Sequence, residues 1–406
     1  MNIWGYGTEG KQIKVELSKN GTVIDTKETT IGADGKWTVA FDAQKGNYDK
    51  YSFKAYENGE AFQTVNDVLV GEVWLSGGQS NMALTVGGMQ IKDEVLAEAD
   101  NEYIRIFAEP TKPTGEVSPY VPEKDIPGAK WSYGNNPSQV SNVSAVAYLT
   151  MKELQKKLNV PVGFLNTAIG GSVIEAWLSR DVIEADAAFK DKLNRRGMYY
   201  DQSFWVNGAE TMTGFYNAKI GPLAGFNIAG ALWYQGESNS DRPELYAQEL
   251  KMLKEAWGNT FGFAKGEMPF FYNGIATWIA QMASPYWLGL TAEAMEDGFK
   301  LIGDTKTGYY PIYDTNYDYK GNVVIHPTDK RGVASHHATA IYNMVYGNEG
   351  KEYVCPMKES ITEKDGKLVV KFSHVGGGLK TTDGLADVHG FSIAGEDGIY
   401  RSEEHT

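Results

Sequence analysis

The chain has 406 residues, of which 42% are hydrophobic and 22% charged, a composition typical of globular proteins and a length sufficient for two or three domains. No apolar run is long enough to span a bilayer, and the net charge of −14 argues against nucleic acid as a partner and favours a neutral substrate. The single cysteine, Cys355, excludes an internal disulfide and a multi-cysteine zinc site, and we interpret it as structural.

Residues 1–66 have the pattern of a small β-sandwich-like segment. Polar and apolar residues alternate over residues 11–17, and Asn20-Gly21 and Asp34-Gly35 are hairpin signals. The first residues lack the basic and apolar regions of a signal peptide, and strand-like sequence begins almost at once. We therefore expect the chain to be a fragment of a longer protein.

Strand-like and helix-like segments alternate from residue 67 to residue 350, which indicates a parallel sheet with crossover helices. The predicted strands are 68–75, 103–107, 162–165, 229–234, 269–272 and 309–313. The predicted helices are 144–158, which Ser144 caps, 243–257, 288–298 and 334–346. A β pattern returns in residues 351–406, which we expect to pack with the N-terminal segment.

The loop after the first predicted strand of this region carries Ser80. Gly77-Gly78 allows a sharp turn and a close approach of substrate. The carboxyl end of a strand is where open α/β sheets usually bind ligands. The Ser80 hydroxyl is a candidate nucleophile and its N–H a candidate oxyanion donor. A strand followed by a Gly/Ser/Asn turn is also one of the commonest loops in proteins, so other segments must decide between the two interpretations.

Three later loops offer the other groups that acyl transfer needs. Gly170-Gly171 offers bare N–H groups, the side-chain amides of Gln235 and Asn239 offer donors to an oxyanion, and His326 offers a general base near neutral pH. A serine hydroxyl is a poor nucleophile until a base takes its proton, and the tetrahedral oxyanion then needs donors. The joint appearance of these groups after successive strands indicates a serine hydrolase.

The segments that carry these groups resemble a known family. They are GQSNM (78–82), NTAIGGSVIEAWLS (166–179), LWYQGESN (232–239) and IHPTDK (325–330). They resemble the sialate O-acetylesterase and acetylxylan esterase group of the SGNH (GDSL-like) hydrolases, and the resemblance covers nearly the whole chain. It implies an α/β fold with a three-layer α/β/α core and a parallel sheet at residues 67–350, flanked by a β-sandwich-like domain built from residues 1–66 and 351–406. It also implies secretion or a periplasmic location.

The resemblance assigns roles to the site residues. Ser80 is the nucleophile and supplies one oxyanion donor through its N–H, and His326 is the base. Gly171, or the glycine before it, supplies the second donor. The superfamily takes its third donor from an Asn in a G-x-N-D block, where this chain has Gly-Glu-Ser-Asn. Gln235 and Asn239 are both candidates for this donor, and we favour Gln235 because it is closer to the strand end.

One position departs from the family pattern. The superfamily usually has an Asp three residues before the His, and this chain has Val323 there. Either His326 acts in a Ser–His dyad, or a backbone carbonyl or another acid orients its ring. The candidate acids are Asp314, Asp318, Asp329 and Glu237.

Two further histidines, His336 and His337, lie on the helix after this loop. Paired histidines bind zinc in some proteins, but no third ligand with suitable spacing is present in the sequence. We interpret them as residues of a helix face, with His337 as a second choice for the base.

The predicted function is removal of O-acetyl groups from a glycan, either acetylated xylan or O-acetylated sialic acid, through an acyl-enzyme and without a metal or organic cofactor. The partner is an acetylated oligo- or polysaccharide that stacks on Trp177, Trp278 or Trp287, and the negative net charge favours xylan. The oligomeric state is not predicted. Two alternatives stay open. The missing Asp favours a carbohydrate-binding protein on an inactive scaffold, and a lipase or thioesterase of the same superfamily would need an apolar lid that the sequence lacks.

Overall fold

The computed structural model describes residues 1–109, 120–198, 211–276, 285–315, 324–347, 355–381, 392–395 and 400–402. Its N-terminal strands are β1 (Asn2–Tyr6), β2 (Gln12–Lys19), β3 (Thr22–Thr30), β4 (Lys36–Ala40), β5 (Asn47–Glu57) and β6 (Glu60–Val70). They form a four-stranded antiparallel sheet in the order β3-β2-β5-β6 and a β1–β4 pair. Alternate side chains, among them Val15, Trp37 and Phe53, are buried in a common core, as the period-two pattern predicts.

A seven-stranded sheet forms the centre of the molecule, in the order β13-β12-β11-β7-β10-β8-β9. Its strands are β7 (Glu72–Gly78), β8 (Ile104–Ala108), β9 (Lys130–Tyr133), β10 (Val162–Asn166), β11 (Gly230–Tyr234), β12 (Phe270–Asn273) and β13 (Thr307–Tyr310). Neighbouring strands are parallel except β9, which runs antiparallel to β8. The last strand was predicted at 309–313 and ends earlier, before Pro311, since proline cannot donate to the strand ladder.

Helices cover both faces of this sheet. They are α1 (Ser80–Ala83), α2 (Lys92–Ala97), α3 (Pro137–Val140), α4 (Ala145–Leu158), α5 (Arg180–Ala185), α6 (Ala187–Arg195), α7 (Pro243–Thr260), α8 (Pro285–Ile302) and α9 (Arg331–Val345). On one face Trp74 of β7 shares a core with α4 and α9, while on the other face its neighbour Leu75 shares a core with α7 and α8. This arrangement confirms the predicted three-layer α/β/α architecture.

The best-predicted helix is α4. The Ser144 Oγ accepts a hydrogen bond from the N–H of Ala147 at 3.1 Å, as a capping residue does. The helix ends at Asn159, whose φ of 52° is left-handed. The short elements α5, α6 and β9 were not predicted, because segments of four to nine residues contain too few turns or alternations to show a period.

The C-terminal strands are β14 (Met357–Lys364), β15 (Lys367–Ser373), β16 (Ser392–Ala394) and β17 (Tyr400–Ser402). In the described residues β14 pairs only with β15 and β16 only with β17. The predicted packing of the two chain ends, and the boundaries at 66 and 350, therefore stay predictions. Among the residues that the structure covers, no helix is long and apolar enough to cross a membrane.

The register of the central strands places the functional loops side by side. The last residue of β7, Gly78, pairs with Tyr234 at the end of β11, and Ser76 pairs with Asn166 at the end of β10. The loops that follow β7, β10 and β11 therefore leave the same edge of the sheet together.

Candidate active site

Ser80 lies at the carboxyl edge of the central strand, where the backbone turns from β7 into α1. Gly78 has a φ of 138°, and a Cβ at this position would lie 2.1 Å from the carbonyl oxygen of Tyr234. The next residue, Gln79, donates its N–H to the same carbonyl at 3.0 Å. Only glycine allows this close approach of β7 and β11, so the turn that presents Ser80 depends on Gly78.

The structure brings His326 to Ser80. The Nε2 of His326 lies 2.8 Å from the Oγ of Ser80, although the two residues are 246 positions apart in the chain. His326 is exposed at the surface. Partial burial of its imidazole, and then the positive charge of Lys330, lower the pKa of His326 from its ordinary 6.5. At neutral pH the imidazole is therefore uncharged, and its Nε2 is available to accept the Ser80 proton.

The carboxylates proposed to orient His326 are not on its ring where the structure shows them. Asp329 accepts hydrogen bonds from the N–H and Nε of Arg331, and Glu237 accepts one from Asn81 Nδ2 at 2.6 Å. Asp318 and Val323 lie outside the described residues, as does the side chain of Asp314. Within the described ranges, the Nδ1 of His326 has no hydrogen-bond partner.

The glycine loop after β10 lies against Ser80. A Cβ placed on Gly170 would be 3.8 Å from the Cβ of Ser80, while Gly171 has a left-handed φ of 78° and faces open space. Hydrogen bonds from Ile169 N at 3.0 Å and from Ser172 Oγ at 3.3 Å, both to Gly78 O, fix the loop to the end of β7. The N–H groups of Ser80, Gly170 and Gly171 bond to no acceptor in the part of the chain that the structure describes.

The two amides proposed as the third oxyanion donor are engaged elsewhere. Gln235 Nε2 donates to Ser172 O at 3.0 Å and to Asn239 Oδ1 at 2.7 Å, which uses both of its hydrogens. Asn239 Nδ2 donates to Glu175 Oε2 at 2.8 Å, and its Oδ1 also accepts from Ile174 N. In this structure Gln235 is thus not free to donate to an oxyanion. The preference for it over Asn239 rested on sequence distance from the strand end, which carries no information on these partners.

These amides belong to a buried network behind the glycine loop. Arg242 donates to both carboxylate oxygens of Glu175, from Nε at 2.6 Å and from Nη2 at 3.1 Å. Both side chains are almost fully buried, so each charge compensates the other. The set Gln235, Asn239, Glu175 and Arg242 is called the glycine-loop network below. It fixes the backbone of residues 172–174 and thereby the loop beside Ser80.

Sequence reasoning missed several polar residues that surround Ser80. Gln79 Oε1 accepts from Gly236 N at 3.3 Å and from Ser238 N at 3.1 Å, which joins the loops after β7 and β11. Asn81 and Lys330 are buried beside the site. All three lie in the segments 78–82 and 325–330 that carry Ser80 and His326. Their position next to the candidate nucleophile and base was the sequence feature that could have identified them.

His337 is not placed to act as a base. It is fully buried, its Nε2 lies 3.1 Å from Asn273 Oδ1, and its Nδ1 contacts the hydroxyl of Tyr310. Burial lowers its pKa to about 3. Its ring is therefore neutral, with both nitrogens occupied, and its role is structural. Among the described residues, no group of three or more His, Cys, Asp or Glu side chains is arranged to hold a metal ion.

The prediction that Trp177 stacks on a sugar is wrong. Its side chain is fully buried, its Nε1 donates to Ser172 Oγ at 3.0 Å, and its ring packs edge-on against Trp233 and Trp257. Trp177 therefore supports the glycine loop from the core. Trp278 and the side chain of Trp287 lie outside the described residues.

Comparisons with known proteins agree on one family. A model of the family described as carbohydrate esterase, sialic acid-specific acetylesterase, matches residues 70–296. The sialate O-acetylesterases of Pongo abelii and Homo sapiens are 30% and 29% identical to the chain, over 88% of it and 70% of their own length. The crystal structure of a carbohydrate acetylesterase from Xanthomonas citri superposes with a TM-score of 0.79 at 28% identity, over 99% of this chain and 84% of that one.

Proposed function

The chain belongs to the sialic acid-specific acetylesterase family of carbohydrate esterases, and on this premise we propose that it removes O-acetyl groups from glycans with Ser80 as nucleophile and His326 as base. Members of this family are carboxylic ester hydrolases. The observation that carries the residue assignment is the 2.8 Å contact between Ser80 Oγ and His326 Nε2 at the carboxyl edge of the sheet.

In the proposed first half-reaction, Ser80 Oγ attacks the acetyl carbonyl carbon while His326 Nε2 takes the hydroxyl proton. The N–H groups of Ser80 and of Gly170 or Gly171 stabilise the oxyanion, since they have no acceptor among the described residues. The tetrahedral intermediate collapses, the bond to the sugar oxygen breaks, and His326 returns its proton to that oxygen. The deacetylated sugar leaves and an acetyl-serine remains.

In the second half-reaction, water takes the place of the sugar. His326 removes a proton from the water, the hydroxide attacks the acetyl-serine, and the proton returns to Ser80 Oγ as acetate leaves. Asn239 contributes by holding the backbone behind the glycine loop rather than by a direct donor. Among the described residues no carboxylate bonds to the His326 ring, so we propose that Ser80 and His326 act as a dyad whose ring is held through the backbone.

The proposed substrate is an acetylated oligo- or polysaccharide, and the location that the resemblance implies is secreted or periplasmic. The relatives named above act on O-acetylated sialic acid by their names. The net charge of −14 favours a neutral glycan such as acetylated xylan. A panel of O-acetylated sialic acid, acetylated xylan and acetylated cello-oligosaccharides, assayed for acetate, decides between these substrates. Fractionation of the native host tests the location.

The decisive experiment compares the wild type with Ser80→Ala and His326→Ala. With p-nitrophenyl acetate and with the preferred glycan we expect each substitution to lower kcat by at least about 10³-fold, since the nucleophile and its base act as one unit. A rate unchanged in Ser80→Ala would leave a carbohydrate-binding protein on a hydrolase scaffold. A p-nitrophenyl octanoate rate above the acetate rate would favour a lipase or thioesterase.

A further inference from the structure

Three buried polar side chains meet beside Ser80 and His326. Asn81, which follows Ser80, donates from Nδ2 to Glu237 Oε1 at 2.6 Å and to the carbonyl oxygen of Ile325 at 2.8 Å. Lys330 Nζ donates to Asn81 Oδ1 at 2.7 Å. The three residues come from three separate segments of the chain, and Ile325 immediately precedes His326. We call Asn81, Glu237 and Lys330 the base network.

The partners fix the orientation of the Asn81 amide. Its nitrogen faces a carboxylate and a carbonyl, which only accept, and its oxygen faces an ammonium, which only donates. A flipped amide would place hydrogens against the ammonium and an oxygen against two acceptors. Both Nδ2 hydrogens are used, so the Ile325 carbonyl is held in one position.

Burying these polar and charged side chains costs free energy of folding. Asn81 and Lys330 are completely buried, and Glu237 is 8% exposed. Burial lowers the pKa of Lys330 to about 7, a shift that the negative charges of Glu237 and Asp329 oppose, and burial raises the pKa of Glu237. The Lys330 ammonium also lies 5.2 Å from the centre of the Tyr234 ring. A hydrophobic core would hold the same loops without burying charge, so a structural purpose alone gives no reason for these residue types.

The base network contacts the backbone immediately before His326, a residue whose ring has few contacts of its own. In the described chain His326 Nδ1 has no hydrogen-bond partner, and the ring contacts Ser80 through Nε2 alone. The Ile325 carbonyl belongs to the peptide group that enters His326, so fixing it fixes the backbone from which the ring projects. Asn81 is joined through one peptide bond to Ser80, so one side chain ties the nucleophile to the base.

We propose that Asn81, held between Lys330 and Glu237, is the positioning residue that sets the His326 ring against Ser80 and does what a carboxylate on the imidazole does in a Ser-His-Asp triad. The inference rests on the proposed function, because it gives Asn81 a role in a Ser–His esterase. Asn81 acts through the backbone and does not touch the ring or the substrate.

The test uses Asn81→Ala, Lys330→Met and Glu237→Gln in the full chain with p-nitrophenyl acetate. We expect Asn81→Ala to lower kcat by about tenfold to a hundredfold with KM changed less than about twofold, as a misplaced base lowers reaction rate rather than binding. Glu237→Gln keeps the acceptor oxygen for Asn81, and Glu237 Oε2 bonds to nothing in the described residues, so this variant removes charge alone. Its kcat should lie between those of the wild type and Asn81→Ala.

Lys330→Met tests the charge of the base network separately from its geometry. Among the described residues, the charge that acts on His326 is that of Lys330, and the other charges close to it in the fold are the Asp329–Arg331 pair and, through Asn81, Glu237. Because the Lys330 charge lowers the pKa of His326, its removal should move the acid limb of kcat/KM to higher pH. The matched control is Lys254→Met, another buried lysine, which pairs with Asp304 and Thr307 away from the site. It should lower Tm while leaving kcat and the pH profile unchanged.

Two outcomes would overturn the inference. In the first, Asn81→Ala and Glu237→Gln keep the wild-type kcat and pH profile while Tm falls as in Lys254→Met. In the second, a crystal structure of Asn81→Ala retains the 2.8 Å contact between Ser80 and His326. The second readout needs no activity, so it decides the inference even if wild type and Ser80→Ala release acetate equally and the proposed function fails.

Discussion

Two buried networks lie behind the proposed catalytic edge of the sheet. The glycine-loop network holds the backbone that offers oxyanion donors, and the base network holds the backbone that carries His326. Both end on main-chain groups rather than on substrate. They differ in how their charges meet: Arg242 contacts Glu175 directly through two hydrogen bonds, whereas the amide of Asn81 separates Lys330 from Glu237.

Because of that difference, we expect substitutions in the two networks to affect different properties of the protein. The Arg242–Glu175 pair is nearly inaccessible to water. Removing one partner leaves the other charge buried without compensation, which lowers the free energy of unfolding. In the base network, the lysine has a pKa of about 7 and deprotonates readily. Because Lys330 can lose its charge when a partner is removed, we expect damage there to fall mainly on the placement of His326. If the proposed roles are right, the glycine-loop network mainly supports stability and the base network mainly supports catalysis at Ser80.

The largest expected effect is on folding. Arg242→Met leaves the Glu175 carboxylate buried without its cation, and we expect a loss of about 3–5 kcal/mol in the free energy of unfolding. Urea denaturation followed by tryptophan fluorescence measures it. The matched control is Arg196→Met, whose guanidinium pairs with Glu244 at the surface. An exposed pair contributes under about 1 kcal/mol, so equal losses in the two variants would contradict the distinction.

A smaller effect is expected for the two glycines of the loop, where alanine should lower kcat at Gly170 and stability at Gly171. Gly170 has no left-handed φ, so Gly170→Ala adds a methyl group against the Cβ and Cα of Ser80, in ordinary contact and without backbone strain, and narrows the space beside the proposed nucleophile. We expect kcat to fall with little change in Tm, by at most the roughly 3 kcal/mol of barrier that loss of an oxyanion donor costs. Gly171→Ala meets open space but must adopt a φ of 78°, which costs about 1–2 kcal/mol of stability. Acetate release and thermal unfolding of both variants test this contrast, and the reverse order of effects would exclude it.

Strands and helices with a clear hydrophobic period could be predicted from the sequence. The grouping of the candidate site residues could be predicted as well, because they follow parallel strands that end at one edge of the sheet. Buried strands such as β7 and β11 show as apolar runs, and the polar groups after them gather because parallel strands end at one edge. The contact of Ser80 with His326 follows from that rule, despite the 246 positions between them.

The hydrogen-bond partners of individual polar side chains could not be predicted from the sequence. Gln235 and Asn239 are amides in a loop beside the site, and nothing in their spacing tells a donor to substrate from a donor to backbone. Lys330 follows the base in a polar motif that looks solvent-exposed, yet the fold buries it completely. Burial of a charge depends on which distant loops close over it, and that information is tertiary.

The smallest expected effect is a displacement of the pH profile, and it compares two histidines. His326 must be neutral to accept the Ser80 proton, so kcat/KM should rise with pH through the pKa of the free enzyme's base and then level off. Burial and Lys330 lower that pKa, so the midpoint should lie below 6.5. His337 has a pKa of about 3 and stays neutral throughout the range in which His326 titrates.

Rates from pH 4.5 to pH 8.5 with p-nitrophenyl acetate locate the midpoint, with each sample returned to pH 7.5 to verify that the enzyme is intact. His337 also lowers stability in acid, because the unfolded chain binds its proton below about pH 6.5 while the folded chain binds it only near pH 3. Reversible loss of rate therefore reports the base, whereas irreversible loss reports unfolding. A reversible midpoint above 6.5 would mean that a carboxylate raises the pKa of the His326 ring, and the dyad would then be a triad.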